Sequence, residues 1–235
     1  MNSRPELRID WATHEAAKYA CENWHYSGSI PKSKLVKIGV WEDRKFIGVV
    51  IFGSGASPQI GNPYKLRQTE VCELVRIALT KHISPVSKIA AIAMRFLKSN
   101  NQGLRLVISY ADPLQGHHGG IYQAMNWVYS GKTVPCEWFR LKSTGKLVHS
   151  HSYRRGRRGR ATIDKEKGII ESVKLTKHKY LMPLDTEMRK RILILSKPYP
   201  KRAEGETKDT LAIHAREGGS LPTSALHTSL ELKNG

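Results

Sequence analysis

Residues 71–122 read VCELVRIALTKHISPVSKIAAIAMRFLKSNNQGLRLVISYADPLQGHHGGIY, and their hydrophobic period changes three times. Residues 71–79 alternate, so that Val71, Glu73, Val75, Ile77 and Leu79 share one face of a strand and Arg76 takes the other. Ser84-Pro85 then supplies a cap followed by proline at the first helical position. Val86, Ile89, Ala90, Ala93 and Leu97 continue at helical spacing until residues 100–103, Asn-Asn-Gln-Gly, stop them. Residues 104–110 form a second short apolar strand. After the glycine-rich turn, Ile121, Ala124, Met125 and Val128 give another helical face, ended by Gly131. Strand, helix, strand, helix is the order of an α/β layer, and the expected fold is a mixed central sheet with flanking helices.

The flanks agree with that reading. Thr13 can cap a helix whose Ala16, Ala17, Ala20, Cys21 and Trp24 fall on one stripe. Residues 35–55 hold two β-rich runs around Glu42-Asp-Arg-Lys45, an antiparallel hairpin. A second hairpin is expected over 137–141 and 147–153, and a strand over 169–175. Residues 188–195 fit a short helix or a strand. Beyond Pro198-Tyr-Pro-Lys-Arg202 the core-forming runs cease, so 1–203 is expected as one domain and 204–235 as a disordered tail.

The 235 residues carry 39 Lys plus Arg against 20 Asp plus Glu, a formal charge of +19, which points to a polyanionic partner. The tail adds three basic and five acidic residues, so the excess lies before it. The densest block is Arg154, Arg155, Arg157, Arg158 and Arg160, expected to bind nucleic-acid phosphates. An anionic membrane fits less well, because no apolar face is interleaved. No apolar run is long enough to span a bilayer and no secretory signal pattern opens the chain, so a soluble cytoplasmic protein is expected. Cys21, Cys72 and Cys136 lie far apart and form no metal or redox pair.

Ligands of open α/β sheets lie beyond the carboxyl ends of strands, where Tyr110, Asp112, His117, His118, Gly119, Gly120 and Tyr122 are placed. Tyr110 and Asp112 point to one side. Asp112 can accept a proton, ligate a metal or cap the next helix. Tyr122, one turn into that helix, can donate to a leaving group or pack in the core. Trp24-His25-Tyr26 closes the first helix, with Trp24 and Tyr26 suited to stacking on bases. His25, Tyr26 and Asp112 offer N and O ligands for a transition metal such as iron. A buried Glu73 needs a partner.

The ordered set WHYSGSIP, ELVRIAL, ISYADPLQGHHGGIYQAMNWVYSG, KHKYLMPL and PYPKR, spanning residues 24–202, resembles the Mom family of phage DNA-modification proteins. The resemblance implies a fold like that of the GCN5-related N-acetyltransferases. It also implies a reaction, conversion of adenine in double-stranded DNA to N6-carbamoylmethyladenine in the host cytoplasm, which shields phage DNA from restriction. The matching active-site positions are His25, Tyr26, Glu73, Arg76, Tyr110, Asp112, His118 and Tyr122, with Asp112 as general base. Acetyltransferases of that fold bind coenzyme A through a glycine-containing turn after the central strand; here residues 80–88 contain no glycine. The product has N–CH2–C(O)NH2 where acetyl transfer gives N–C(O)–CH3, so acetyl-CoA is an unsuitable donor. A glycine-derived donor such as glycyl-tRNA supplies the right atoms. Two other readings explain parts of the sequence: an ordinary CoA-dependent N-acyltransferase, and a non-catalytic nucleic-acid-binding protein.

Overall fold

The computed structural model describes residues 4–55, 57–155 and 159–201. The chain expected to form one domain divides into two compact units. One is built from residues up to Gly131 and again from Lys179, the other from Lys132–His178. The expected tail, 204–235, lies outside the described residues.

The first unit has the expected mixed α/β architecture. Strands β1 (Leu7–Trp11), β2 (Leu35–Glu42), β3 (Lys45–Gly53), β4 (Val71–Leu79) and β5 (Leu106–Ala111) are neighbours in that order, and β10 (His178–Pro183) then β6 (Val128–Lys132) complete a seven-stranded sheet. β1 to β4 are antiparallel. β4 and β5 are parallel, and helix α2 (Val86–Asn100) makes the crossover that parallel neighbours need. Helix α1 (His14–Trp24) starts where Thr13 Oγ1 accepts the Ala16 amide N–H at 3.1 Å, a cap worth about 1 kcal/mol. Its Ala17, Ala20 and Cys21 are buried with Val49, Ile51 and Ala78. Helix α2 packs Ile89, Ala93, Met94 and Leu97 with Val50, Phe52 and Leu74.

β4 and β5 pair only over Val71↔Leu106, Cys72↔Val107 and Glu73↔Ile108. β4 continues to Leu79 and β5 to Ala111, so the two strands part beyond Glu73 and Ile108.

Four elements differ from expectation and a fifth, left open by the sequence, is decided. β1 and β10 carry no strong sequence signal, and β10 arrives from far along the chain to lie between β5 and β6. Helix α3 spans only Gly120–Ala124, because Asn126 takes a left-handed φ of 57° and the Val128-Tyr129 pair that follows joins the sheet. Helix α2 begins at Val86, with Pro85 as its cap residue. The undecided 188–195 stretch lies largely in a helix, α6 (Thr186–Leu193), whose Asp185 cap accepts the Met188 N–H at 2.7 Å.

The second unit holds β7 (Cys136–Leu141), β8 (Leu147–His149), α4 (Ser150–Arg154), α5 (Arg160–Glu166) and β9 (Ile170–Leu175), with strand order β8-β7-β9, all antiparallel. The expected hairpin is present, although its second arm stops at His149 where α4 begins. Phe139, Ala161 and Ile170 form the small core. Beside it Glu137 accepts from Lys165 (2.8 Å), Ser172 (2.7 Å) and Arg154 (2.6 Å). The Lys165 and Ser172 bonds lead in pushing this carboxyl from 4.5 down to about 2. The folded value is below the unfolded one, so this stabilisation is complete above pH about 4.5 and is lost as pH falls toward 2. Glu137→Gln is expected to remove on the order of 1–2 kcal/mol at neutral pH and to flatten acid unfolding between pH 4.5 and 2. Trp fluorescence of both proteins across that window is the check.

No helix among the described residues is long and apolar enough to cross a membrane.

Candidate active site

The register of β3 against β4 runs Gly53↔Glu73, Phe52↔Leu74, then Ile51↔Arg76, so Val75 is an extra residue in β4. A bulge of this kind resets the alternation of faces. Before it, Cys72 and Leu74 pack on the α2 side; after it, Ile77 and Leu79 do. Ala78 packs instead with α1, and Arg76, two residues away, shares that side. Glu73 and Arg76 therefore share a face, where uninterrupted alternation placed them on opposite ones.

At the end of α1, His25 Nδ1 accepts the Ser27 amide N–H (3.1 Å) and lies 2.8 Å from Ser27 Oγ. Burial first, then the charge of Arg76 and that of His117, pulls the imidazole from 6.5 down to about 3. His25 is thus neutral at physiological pH. The Tyr26 ring lies 4.2 Å from the His25 ring and meets His117 edge-on at 5.6 Å, and Tyr26 is 40% exposed. Burial raises its hydroxyl pKa, Arg76 opposes the rise and Asp112 adds to it. His117 is therefore the turn histidine whose ring joins Tyr26. His118, the expected one, uses its backbone carbonyl to accept the Tyr180 O–H at 2.6 Å.

Asp112 fulfils its local role: Oδ1 accepts the Leu114 amide N–H at 3.1 Å and its carbonyl accepts those of Gln115 and His117. Its charge still reaches Tyr26. Tyr110 is pushed up to about 12 by burial and then by Glu73. Tyr122 is pushed up to about 12 by burial against an opposing Ser109 bond, with Tyr26, Glu73 and Tyr180 adding. These mutual influences link His25, Tyr26, Glu73, Arg76, Tyr110, Asp112 and Tyr122 into one neighbourhood where β4 and β5 part.

Ser109 bears on the two roles left open for Tyr122. The Ser109 hydroxyl donates to the Leu74 carbonyl at 2.8 Å and lies 2.8 Å from the Tyr122 oxygen. A serine has one hydroxyl proton, so the Tyr122 O–H donates to Ser109 and is not directed at a leaving group. Trp24 also has a packing role, with Tyr19 edge-on at 5.3 Å and Phe46 at 6.0 Å. A cavity of about 240 Å³ lined by Leu35, Phe52, Cys72 and Leu97 includes none of the linked residues.

A coenzyme A pyrophosphate would need free amides in the loop before α2. The buried Glu42, 6% exposed at the end of β2, already takes them: its two oxygens accept Ile83 N–H (2.7 Å) and Ser84 N–H (2.8 Å). Burial alone raises the Glu42 carboxyl, but those amide bonds outweigh it and hold the group below its ordinary value. The amides of Ile83 and Ser84 are thus taken by an internal carboxylate, and Ser109 of β5 bridges to the Leu74 carbonyl of β4. Calorimetric titration with coenzyme A is expected to give no saturable heat, and micromolar binding would contradict this.

In the second unit, two of the arginines expected to bind phosphate are tied internally. Arg154 donates to Glu137 at 2.6 Å and lies over the Phe139 ring, and Arg160 pairs with Asp164 at 3.6 Å. Arg155 is exposed, and Arg157 and Arg158 lie outside the described residues.

For a metal, His25 offers the neutral imidazole that ligates. Because Nδ1 accepts the Ser27 amide N–H, the neutral ring holds its proton on Nε2; ligation through Nε2 would move that proton to Nδ1, exchanging the amide bond for one to Ser27 Oγ, which lies 3.3 Å from the Ser29 carbonyl. With Asp112 and Tyr26 the donors present fit an N,O-ligated transition ion, although burial makes Tyr26 slow to ionise. Among the described residues no group of three or more His, Cys, Asp or Glu is arranged as a metal site.

Comparison with known proteins adds an independent observation. The Mom protein family matches residues 6–201. A protein described as methylcarbamoylase mom, from Escherichia phage Mu, is 26% identical over 210 residues, 83% of this chain and 84% of the relative. Two solved structures are similar at a TM-score of 0.45 each. One is a candidate acetyltransferase of Acinetobacter baylyi ADP1, 13% identical over 79% of this chain and 96% of its own. The other is an N-acyl amino acid synthase from uncultured soil microbes, 11% identical over 80% and 94%.

Proposed function

Because the chain belongs to the Mom protein family, we propose that it is a transferase that converts adenine in phage DNA to N6-carbamoylmethyladenine, shielding that DNA from host restriction. The observation that carries the reading is the neighbourhood of His25, Tyr26, Glu73, Arg76, Tyr110, Asp112 and Tyr122, residues far apart in sequence, where β4 and β5 part. An enzyme that reaches N6 of a duplex base must extrude that base. The exposed ring of Tyr26 is its stacking partner, worth about 1–3 kcal/mol.

Asp112 takes the N6 proton as the new N–C bond forms, since the exocyclic amine is a poor nucleophile while it keeps that proton. Ser109 holds Tyr122 so that its ring walls the site. The donor is a glycine-derived group, with glycyl-tRNA as the candidate: N6 displaces the tRNA 3′-oxygen from the glycyl carbonyl, the tRNA leaves as its alcohol, and the resulting N–C(O)–CH2–NH2 is an isomer of N–CH2–C(O)NH2, reached by exchange of its two nitrogens without an oxidant. A transition ion such as iron would be held by His25 Nε2, the Tyr26 hydroxyl and one oxygen of Asp112, where it would supply Lewis-acid or redox chemistry while the other Asp112 oxygen keeps the proton role and the Tyr26 ring keeps its stacking face. Arg155 and the unpaired excess of basic charge contact DNA phosphates, which makes binding fall with salt.

Plasmid DNA propagated with this protein in a restriction-tolerant bacterium tests the reading. It is expected to resist endonucleases whose sites contain adenine, and full cutting by each of them, with soluble protein present, contradicts the reading.

A further inference from the structure

Arg76 has an unusual electrostatic position. Its Nε–H is buried with no hydrogen-bond acceptor, and its Nη1 turns back to the carbonyl of Val75, the bulge residue, at 2.9 Å. Its charge acts on Cys21, His25 and Tyr26. None of these is an anion at neutral pH: the buried thiol and the hydroxyl are raised and the imidazole is lowered. A buried donor on a charged group left without an acceptor forgoes its hydration without replacement, and native proteins seldom keep one without a use.

The backbone is also arranged for this side chain. Without the extra residue at Val75, strict alternation would put Arg76 on the same face as Leu74, into the apolar α2 side. The bulge instead presents the guanidinium beside His25 and Tyr26. Bulges that re-aim a side chain cluster beside functional sites.

We propose that the Nε edge of Arg76 is the receptor for an oxyanion of the substrate that enters beside His25 and Tyr26. The planar guanidinium fork matches a carboxylate or a phosphate with two parallel hydrogen bonds, which a lysine does not reproduce. Two substrate parts carry that chemistry: the carboxylate of a glycine-type donor that arrives unesterified and the 5′-phosphate of the extruded nucleotide. The inference rests on reading this neighbourhood as the reaction site.

The test uses the full-length protein with 15N-labelled arginine, following the Nε–Hε resonance of Arg76, assigned by its loss in Arg76→Lys. The probes are glycolate, 2′-deoxyadenosine 5′-monophosphate and 2′-deoxyadenosine. The resonance is expected to move saturably with glycolate or with the monophosphate and to stay put with the nucleoside. The anion that moves it identifies the source. Arg76→Lys, melting as the wild type does, is expected to bind that anion at least tenfold more weakly by thermal shift. No movement with either anion overturns the inference, as does equal movement with the uncharged nucleoside or unchanged affinity in Arg76→Lys. These spectra are recorded without DNA modification, so they stand or fall separately from detection of a modified base in cells.

Discussion

Asp112→Asn is expected to lower DNA modification by about 10²–10⁴-fold while leaving the fold intact. Asparagine keeps an Oδ1 that can accept the Leu114 amide N–H, and the carbonyl that takes Gln115 and His117 is unchanged. What disappears is the carboxylate charge felt by Tyr26 and, with it, the proposed acceptor of the N6 proton. Asp112→Ala removes the cap as well and is expected to cost a further 0.5–2 kcal/mol of stability, roughly. The comparison separates chemistry from folding: modified nucleoside per cell and melting temperature, measured on both variants, should diverge for Asn and fall together for Ala. Full modification by Asp112→Asn would remove Asp112 from the proposed base role.

The largest stability effect is expected at Gly119. Its φ is +89°, and a Cβ there would lie 2.4 Å from three atoms of the Tyr180 side chain. Tyr180 is fully buried, and its hydroxyl is anchored on the His118 carbonyl, so it has little room to retreat. Gly119→Ala combines a left-handed backbone cost of about 1–2 kcal/mol with overpacking of about 1–3 kcal/mol, for a loss of roughly 2–5 kcal/mol. Gly28→Ala is the control: its φ is +57° but nothing lies within 4 Å of the added carbon, so only the backbone cost applies. Urea unfolding midpoints of the two variants measure the difference. Equal midpoints would mean that the Tyr180 contact carries no strain.

Both predictions concern a turn whose importance was legible in the sequence, whereas its internal assignments were not. Period-two counting located β4 to the residue and placed Tyr110 and Asp112 at the end of β5. The same counting misassigned Arg76, because an inserted residue such as Val75 leaves no mark on an apolar pattern. The contact of the His117 ring with Tyr26 arises in a turn where Gly116 and Gly119 take left-handed conformations, which hydrophobic period does not report. Tyr122 was read as donor or core; Ser109, a polar residue inside a buried strand, was the signal that its hydroxyl is occupied. Glu42 needed the tertiary fold, since its partners lie 41 and 42 residues away. β10 was hidden for the same reason, its neighbours β5 and β6 lying far upstream. Hydrophobic period reports local pleat and helix faces, and long-range pairing leaves it unchanged.

The most direct test of the proposed reaction is the mass of deoxyadenosine species from DNA of a restriction-tolerant bacterium expressing this protein. A deoxyadenosine heavier by one carbamoylmethyl group, present with the wild type and lost with Asp112→Asn, is the result predicted. An acetyl-sized increase would contradict the proposed reaction, and unmodified adenine alongside soluble, DNA-binding protein would contradict the assignment of this neighbourhood as a site of adenine chemistry.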